Sequence, residues 1–348
     1  MGFVLLLPSV CSRNGSFIVN SRNLEDSESE MRLLQVARQT TSFAVGICAT
    51  GASENLSSLM SLVTSEKFDE KFTLRRIIVV ASDCPEVTME YVRLVARNDK
   101  RIFLIEEQER KGKADAVNKI ILNSLGNYYI LFVNADALPA KGSFAELLET
   151  AERSESIGVV SGSAFLDPTH QENTTSKVED FMWTIHNECS RELNHMNTSN
   201  HGSDEMMVIR SSAIPSLLPA GVINDGAYLG GTAKSLGYSI KFSGRAKVMI
   251  DAPERVPDLI RQRERIIFGH FQIWQLRRRF PKTVESLLLV SPSVSLGIVV
   301  KALSKRPRLI KVAPVALFIE AVSFLLAMRD TLNGKSSQKH RIWKRYAN

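Results

Sequence analysis

Short apolar runs alternate with amphipathic stretches along the first two-thirds of the chain. Thr41–Ala49 is apolar and β-rich, and Leu56, Leu59, Met60 and Val63 then recur at helical spacing. Arg75–Ala81 predicts a second strand and Arg101–Ile105 a third. Between them, Glu86–Arg97 places Val87, Tyr91, Leu94 and Val95 on one helical face. A helix from Ala114 to Leu125 leads into Tyr128–Val133, six large apolar residues in a row, which reads as a strand buried on both faces. A helix near Phe144–Ala151 and a strand at Ile157–Phe165 continue the alternation. Strands separated by helices of about 10–15 residues predict an α/β fold, with a mostly parallel sheet and right-handed crossovers. Beyond residue 170 the pattern changes. Val178–Cys189 is an amphipathic helix, Met206–Arg210 a short strand, and Asp225 opens a helix running to Leu236. Gly237–Phe242 reads as an edge-type strand, Ala246–Asp251 follows it, and Arg261–Gln275 is a basic, aromatic amphipathic helix.

The candidate chemistry falls at the ends of these runs. Asn134-Ala135-Asp136 follows the central strand, where α/β folds place their ligands. A carboxylate beside an amide suits a hard cation that keeps most of its waters; Asp136 could equally cap the next helix. Ser82-Asp83 ends the second strand, and Lys113 stands just before a helix. Gly112-Lys113 is not a phosphate-binding P-loop, because GxxxxGK[ST] is absent, and its plain reading is a helix start with a solvated lysine. Asp225 is either a helix cap or a carboxylate at a helix mouth, where a general base could lie. His186 has no second His, Cys or Asp at ligand spacing.

Composition adds a division of charge. The net charge is +7, but from Arg277 onward there are 15 Lys/Arg against three acids, which leaves −5 for residues 1–276. A mildly acidic body with a basic tail points to an anionic partner. A nucleic acid is disfavoured, because Trp343 and Tyr346 alone do not supply interleaved stacking aromatics. Four scattered cysteines without a CxxC pair fit a reducing compartment. The apolar octet Phe3–Val10 lacks a preceding basic residue, a poor signal peptide.

In order, these blocks resemble the family 2 glycosyltransferases. Arg110-x-Gly112-Lys113-x-x-Ala116-x-Asn118 is similar to the family's RxGKxxAxN stretch, and Asn134-Ala135-Asp136 stands in the place of its DxD. Asn224-Asp225 followed by Gly237-Tyr238 resembles the ED…GY segment. Gln262-Arg263-x-Arg265-Ile266-x-x-Gly269 resembles the QRxRWxxG block of membrane-bound members. The resemblance implies a GT-A (Rossmann-like) fold, a nucleotide-sugar donor and inverting transfer. It implies Asp225 as general base and Mg²⁺ or Mn²⁺ held by Asp136. It also implies Asp83, Lys113, Asn134, Arg263 and Arg265 at the donor, and Gln262 on the acceptor side. Three departures matter: Asn134 removes a carboxylate from the metal site, Gly51-Ala52 stands where Asn-Glu is usual, and Ile266 replaces a tryptophan. They favour single transfer over processive synthesis and keep open a catalytically degenerate scaffold.

The expected organisation is a tail over residues 1–40, a catalytic domain over 41–275 and a basic, apolar C-terminal region over 276–348. In that region Val284–Val300 and Val312–Met328 are apolar, 17 residues each, at the lower limit for a membrane span. Lys301, Lys305, Arg306, Arg308 and Lys311 lie between them, and basic loops stay cytoplasmic. In-plane or re-entrant helices on an anionic leaflet satisfy both features, with the catalytic domain on the cytoplasmic side and a lipid-linked or glycan acceptor. The soluble alternative is a helical cap on the catalytic domain.

Overall fold

A computed structural model of the chain describes residues 40–51, 54–167, 173–333, 339–340 and 342. The N-terminal tail, Cys11, Ser53, Trp343 and Tyr346 lie outside the described residues.

The strands β1 (Thr41–Thr50), β2 (Phe72–Ser82), β3 (Ile102–Glu107), β4 (Tyr129–Asn134), β5 (Leu138–Pro139), β6 (Ile157–Leu166), β7 (Met206–Arg210) and β8 (Ser239–Ile250) form one sheet in the order β3-β2-β1-β4-β7-β6-β8-β5. The half from β3 to β4 is parallel. There α1 (Glu54–Ser65), α2 (Glu86–Asn98) and α3 (Lys113–Asn123) supply the crossovers. β7 then enters antiparallel to both β4 and β6, while β8 runs parallel to β6. The sheet is therefore mixed.

Side chains alternate between its two faces, as a pleated strand requires. Val45, Ile47, Tyr129, Leu131 and Val133 pack under α1, α2 and α4 (Ser143–Glu152). Ala44, Ile78, Ile130 and Phe132 pack under α3 and α6 (Asp225–Ser235). The approach of α3 is close enough that a Cβ on Gly46 of β1 would lie 2.3 Å from Ile120 Cγ2. Gly46→Ala is therefore expected to destabilise the protein by about 1–3 kcal/mol through overpacking, read as a lowered thermal midpoint.

Two expectations change. The stretches 237–242 and 246–251 are one continuous strand, β8, which lies between β6 and β5 and is not an edge; a register shift accompanies its middle. The apolar run 284–300 breaks at Pro292 into α8 (Val284–Val290) and α9 (Pro292–Lys305). A proline at the first helical position starts a helix more readily than it continues one.

The remaining helices stand beside the sheet. α5 (Thr174–His195), α7 (Val256–Arg277) and α10 (Ala313–Leu332) share an apolar cluster of Val178, Phe181, Leu259, Ala302, Ala316 and Ile319. The described residues from Thr41 onward form a single compact unit. The 3₁₀ turn at 307–312 plus α10 spans 26 residues and is long and apolar enough to cross a membrane; its most apolar 18-residue window has a mean hydropathy of 2.1 and is 22% buried.

Candidate functional site

Strand register brings the site together. In the parallel half Cys48 pairs with Asn134, Thr50 with Ser82, and Ser82 with Glu107, so these chain ends reach one edge of the sheet. β7 runs the other way, and Met206 at its start pairs with Val133. Asp204 and Glu205, just before β7, therefore arrive beside Asn134 from the opposite direction. Between these ends lies a cavity of about 230 Å³. Its lining includes Thr50, Arg110, Lys113, Asn134, Asp136, Asp204, Glu205, Gln262 and Arg265.

The helix that carries Lys113 is set by its neighbours. Gly112 has φ +96° and ψ 159°, a region open essentially to glycine alone, and Lys113 is the first residue of α3. Asn118 exchanges two hydrogen bonds with the Leu218 backbone, 2.9 Å as donor and 2.7 Å as acceptor, which ties α3 to the loop before α6. Lys113 is not solvated. Its Nζ lies 2.7 Å from Asp204 and 3.3 Å from Asp225. Burial opposes its charge, but Asp204, Asp225 and Glu205 outweigh that and hold it firmly protonated.

Neither candidate carboxylate acts as a helix cap. The helix after Asp136, α4, has Gly142 at its N-cap and no side-chain cap. α6 is capped by Asn224, whose side chain accepts from Ala227 N at 2.9 Å, so the Asp225 carboxylate is available to Lys113 and Asp204. Asp225 is 2% exposed. Burial pushes its carboxyl up to about 6, Lys113 opposing and Asp204 reinforcing the shift. Asp204, partly exposed, is held well below the usual carboxylate range, because Lys113 outweighs the effect of burial.

Glu205 completes the acidic side. Asn134 Nδ2 donates to its Oε2 at 2.8 Å. Burial, then the charges of Asp204 and Asp136, push it up to about 8. A divalent cation fits this corner on donor chemistry: the Asp136 and Glu205 carboxylates and the carbonyl of the Asn134 amide offer oxygen ligands, the set that Mg²⁺ and Mn²⁺ take. A tighter acidic group, Glu264, Asp330 and His340, has ligand atoms within 4.8 Å of one another. There, however, the Lys339 ammonium lies 2.7 Å from Glu264 and 2.6 Å from Asp330 and already supplies the positive charge. Cys48 also lines the cavity, but burial pushes its thiol up to about 12, so it is no thiolate nucleophile.

Of the sequence candidates, Lys113, Asn134, Asp136, Gln262 and Arg265 line the cavity, and Asp225 sits directly behind Lys113. Arg263, expected at the donor, points elsewhere. It makes a two-pronged pair with Glu320 of α10, at 2.9 and 2.7 Å, and reaches Glu285 at 3.3 Å. On a helix, residues 263 and 265 lie on different sides, so one turn of α7 serves two neighbours. Asp83 is exposed, outside the cavity lining, with φ +53° and backbone bonds to Gly51 and Glu107. Asp204 and Glu205 were not legible as site residues. Their one sequence signal is two acids immediately before an apolar strand.

Near Asp204 the fold also gathers His186, His201 and His270, which the sequence separates widely. The rings of His186 and His201 lie 6.2 Å apart. Burial pushes all three imidazoles down, to about 4, 3 and 3, so they are neutral at physiological pH.

A mixed sheet whose parallel half ends in an oxygen-rich, lysine-bearing cavity is the architecture of the GT-A fold. Residues 54–215, just under half of the chain, match the family model described as Glycosyl transferase family 2, which supports membership of that family. The match covers Lys113, Asn134, Asp136, Asp204 and Glu205; Asp225, Gln262, Arg263 and Arg265 lie beyond it. No curated protein matches the sequence. Among solved structures, the chain is similar to the mannosyltransferase PcManGT from Pyrobaculum calidifontis, in complex with GDP-Man and Mn²⁺. The TM-score is 0.59 at 16% identity, over 91% of this chain and 99% of that one. Further similarities are to GalNAc-T7 with UDP, GalNAc and Mn²⁺ (TM-score 0.45, 10% identity, 62% of this chain and 44% of that one) and to S. aureus TarS (0.45, 11%, 83% and 55%).

Proposed function

We propose that the protein transfers a sugar from a nucleotide-sugar donor to a hydroxyl of a membrane-proximal acceptor, with inversion at the anomeric carbon. The observation that supports this most directly is the placement of Lys113, Asn134, Asp136 and Arg265 around one cavity with Asp225 behind it. Inversion needs one base to take the acceptor proton. Asp225 fills that role, because a carboxyl raised to about 6 still ionises at neutral pH and is a stronger base than an ordinary one. Asp204 and Lys113 position it. Arg265 and Arg110 face the cavity, where guanidinium groups pair with phosphate oxygens, and Gln262 lines the acceptor side. A divalent cation on Asp136, when bound, supplies charge neutralisation to the leaving diphosphate.

The test is calorimetric titration with UDP and with GDP, each with and without Mn²⁺. Cation-dependent binding of one nucleotide is the expected result. Failure of both to bind leaves the fold without its donor and supports the degenerate scaffold.

The membrane part of the proposal rests on the C-terminal helices. α10 buries Ala316, Ile319, Ser323, Ala327 and Asp330, and Ser323 Oγ donates to Ile260 O of α7 at 3.2 Å. The other faces expose Leu317, Phe318, Leu325 and Leu332, joined by Leu288, Leu289 and Val290 of α8. A helix attached along its length to the soluble body is suited to lie in the interface plane. Part of the basic loop is committed to α5: Lys305 pairs with Glu188 at 2.7 Å and Arg306 with Asp180 at 2.7 Å. Arg308 and Lys311 remain exposed for anionic headgroups. The full chain is expected to float with vesicles containing phosphatidylserine, and Leu317→Ser/Phe318→Ser/Leu325→Ser to abolish flotation. Recovery of the wild-type chain as a monomer in detergent-free, low-salt buffer would sink the membrane reading.

A further inference from the structure

The sequence leaves the central strand one carboxylate short, because Asn134 stands where the resemblance expects an aspartate. We propose that Glu205, delivered by the antiparallel strand β7, is the second carboxylate of the divalent-cation site with Asp136, and that the Asn134 amide holds it there. The carboxylate that the central strand lacks is thus supplied from the neighbouring strand. This inference rests on the reading of the cavity as a nucleotide-diphosphate site.

Three observations carry it. First, Glu205 is fixed at this place by two bonds to one residue. Asn134 Nδ2 donates to Glu205 Oε2 at 2.8 Å, and Asn134 N donates to Glu205 O at 3.3 Å. An aspartate at 134 could not make the first bond and would set a second anion against Glu205. Asparagine at 134 and glutamate at 205 are thus a matched pair in this fold.

Second, the cavity's lysine is committed elsewhere. Lys113 makes its direct ion pairs with Asp204 at 2.7 Å and Asp225 at 3.3 Å, and acts on Glu205 through its charge without a direct pair. The charged lining comprises Arg110, Lys113 and Arg265 against Asp136, Asp204 and Glu205, with Asp225 behind. A polyanionic diphosphate added to that balance requires another cation, and the corner of Asp136 and Glu205 is where positive charge is missing.

Third, the donor set is uniform. Two carboxylates and an amide are hard oxygen ligands, and the cavity leaves room for the waters that Mg²⁺ and Mn²⁺ retain. Neither histidine nor thiolate competes at this corner: Cys48 stays protonated, and no histidine is among the lining residues.

The experiment is Mn²⁺ titration of the full chain, followed by loss of the free-ion electron paramagnetic resonance signal, alone and with UDP or GDP. Circular dichroism of each variant without metal checks its fold. Glu205→Gln keeps an acceptor for the Asn134 amide and removes only the charge. Loss of a direct ligand should cost at least as much as loss of an outer-shell partner, so this variant is expected to weaken Mn²⁺ binding about 10-fold or more. Asp136→Asn should do the same. The swap Asn134→Asp/Glu205→Gln, which returns the carboxylate to the central strand, is expected to recover most of the Mn²⁺ affinity. Glu205→Gln with wild-type Mn²⁺ affinity, alongside an Asp136→Asn variant that has lost it, overturns the role of Glu205 while leaving the nucleotide reading intact. A wild-type chain that binds neither nucleotide overturns the reading beneath it as well.

Discussion

Replacing Asp225 by asparagine is expected to reduce sugar transfer about 10²- to 10⁴-fold, the usual contribution of a general base, while nucleotide binding survives. Asparagine keeps the size of the side chain and a carbonyl oxygen for Lys113 Nζ, which lies 3.3 Å from the native carboxylate. Helix α6 should remain intact, because Asn224 and not Asp225 caps it. The pH profile gives an independent reading. Burial holds the Asp225 carboxyl at about 6, so the base is protonated below that value and ionised above it. The wild-type kcat/KM is therefore expected to rise about tenfold per pH unit below 6 and to level off above it, and Asp225→Asn to lose that limb. Near-normal turnover in Asp225→Asn would remove the residue from the mechanism.

The second large effect separates two arginines that the sequence presents alike. Arg263→Met is expected to cost about 3 kcal/mol of stability with nucleotide affinity nearly unchanged. Arg263 is 15% exposed and grips Glu320, 20% exposed, with two hydrogen bonds. Removing the guanidinium leaves that carboxylate, and Glu179 nearby, without their counter-charge in a largely buried setting. Arg263→Met/Glu320→Leu should recover much of the loss, since an apolar pair can replace a buried ion pair. Arg265→Ala should behave in the opposite way. Its side chain lines the cavity, so nucleotide affinity is expected to fall about 10-fold or more, the worth of a charge-assisted hydrogen bond, with a small change in stability. Thermal denaturation in detergent and nucleotide titration of the three variants check both expectations. Loss of nucleotide affinity in Arg263→Met at unchanged stability would place that arginine at the donor after all.

The cation inference and the arginine pair share a feature. In both, a residue's task follows from which neighbour the fold supplies. Asn134 looks like a defect along the chain, yet in the folded sheet it donates to Glu205. Arg263 looks like a phosphate ligand, yet α10 presents Glu320 to it. The same holds for the basic loop near residue 305, where α5 offers Asp180 and Glu188 and reduces the charge left for a membrane.

The sequence alone determined the parallel half of the sheet and what stands at its edge. Those strands are continuous apolar runs joined by amphipathic helices, a local pattern that reports burial on two faces. Once the runs are parallel, their carboxyl ends must fall together, so Lys113, Asn134 and Asp136 are grouped by the sequence pattern itself. The direction of β7 was not legible, because five apolar residues read the same in either orientation, and strand direction depends on pairing across the sheet. Only the tertiary structure therefore brought Asp204 and Glu205 to the site. It also joined residues 239–250 into one interior strand, since a register shift leaves no local signature. Burial was the last thing it decided. The sequence names Asp225, but only its position beneath Lys113 and Asp204 raises its carboxyl to a value suited to accepting a proton. Desolvation and charge at a buried group are sums over neighbours remote in the chain, and such sums exist only after folding.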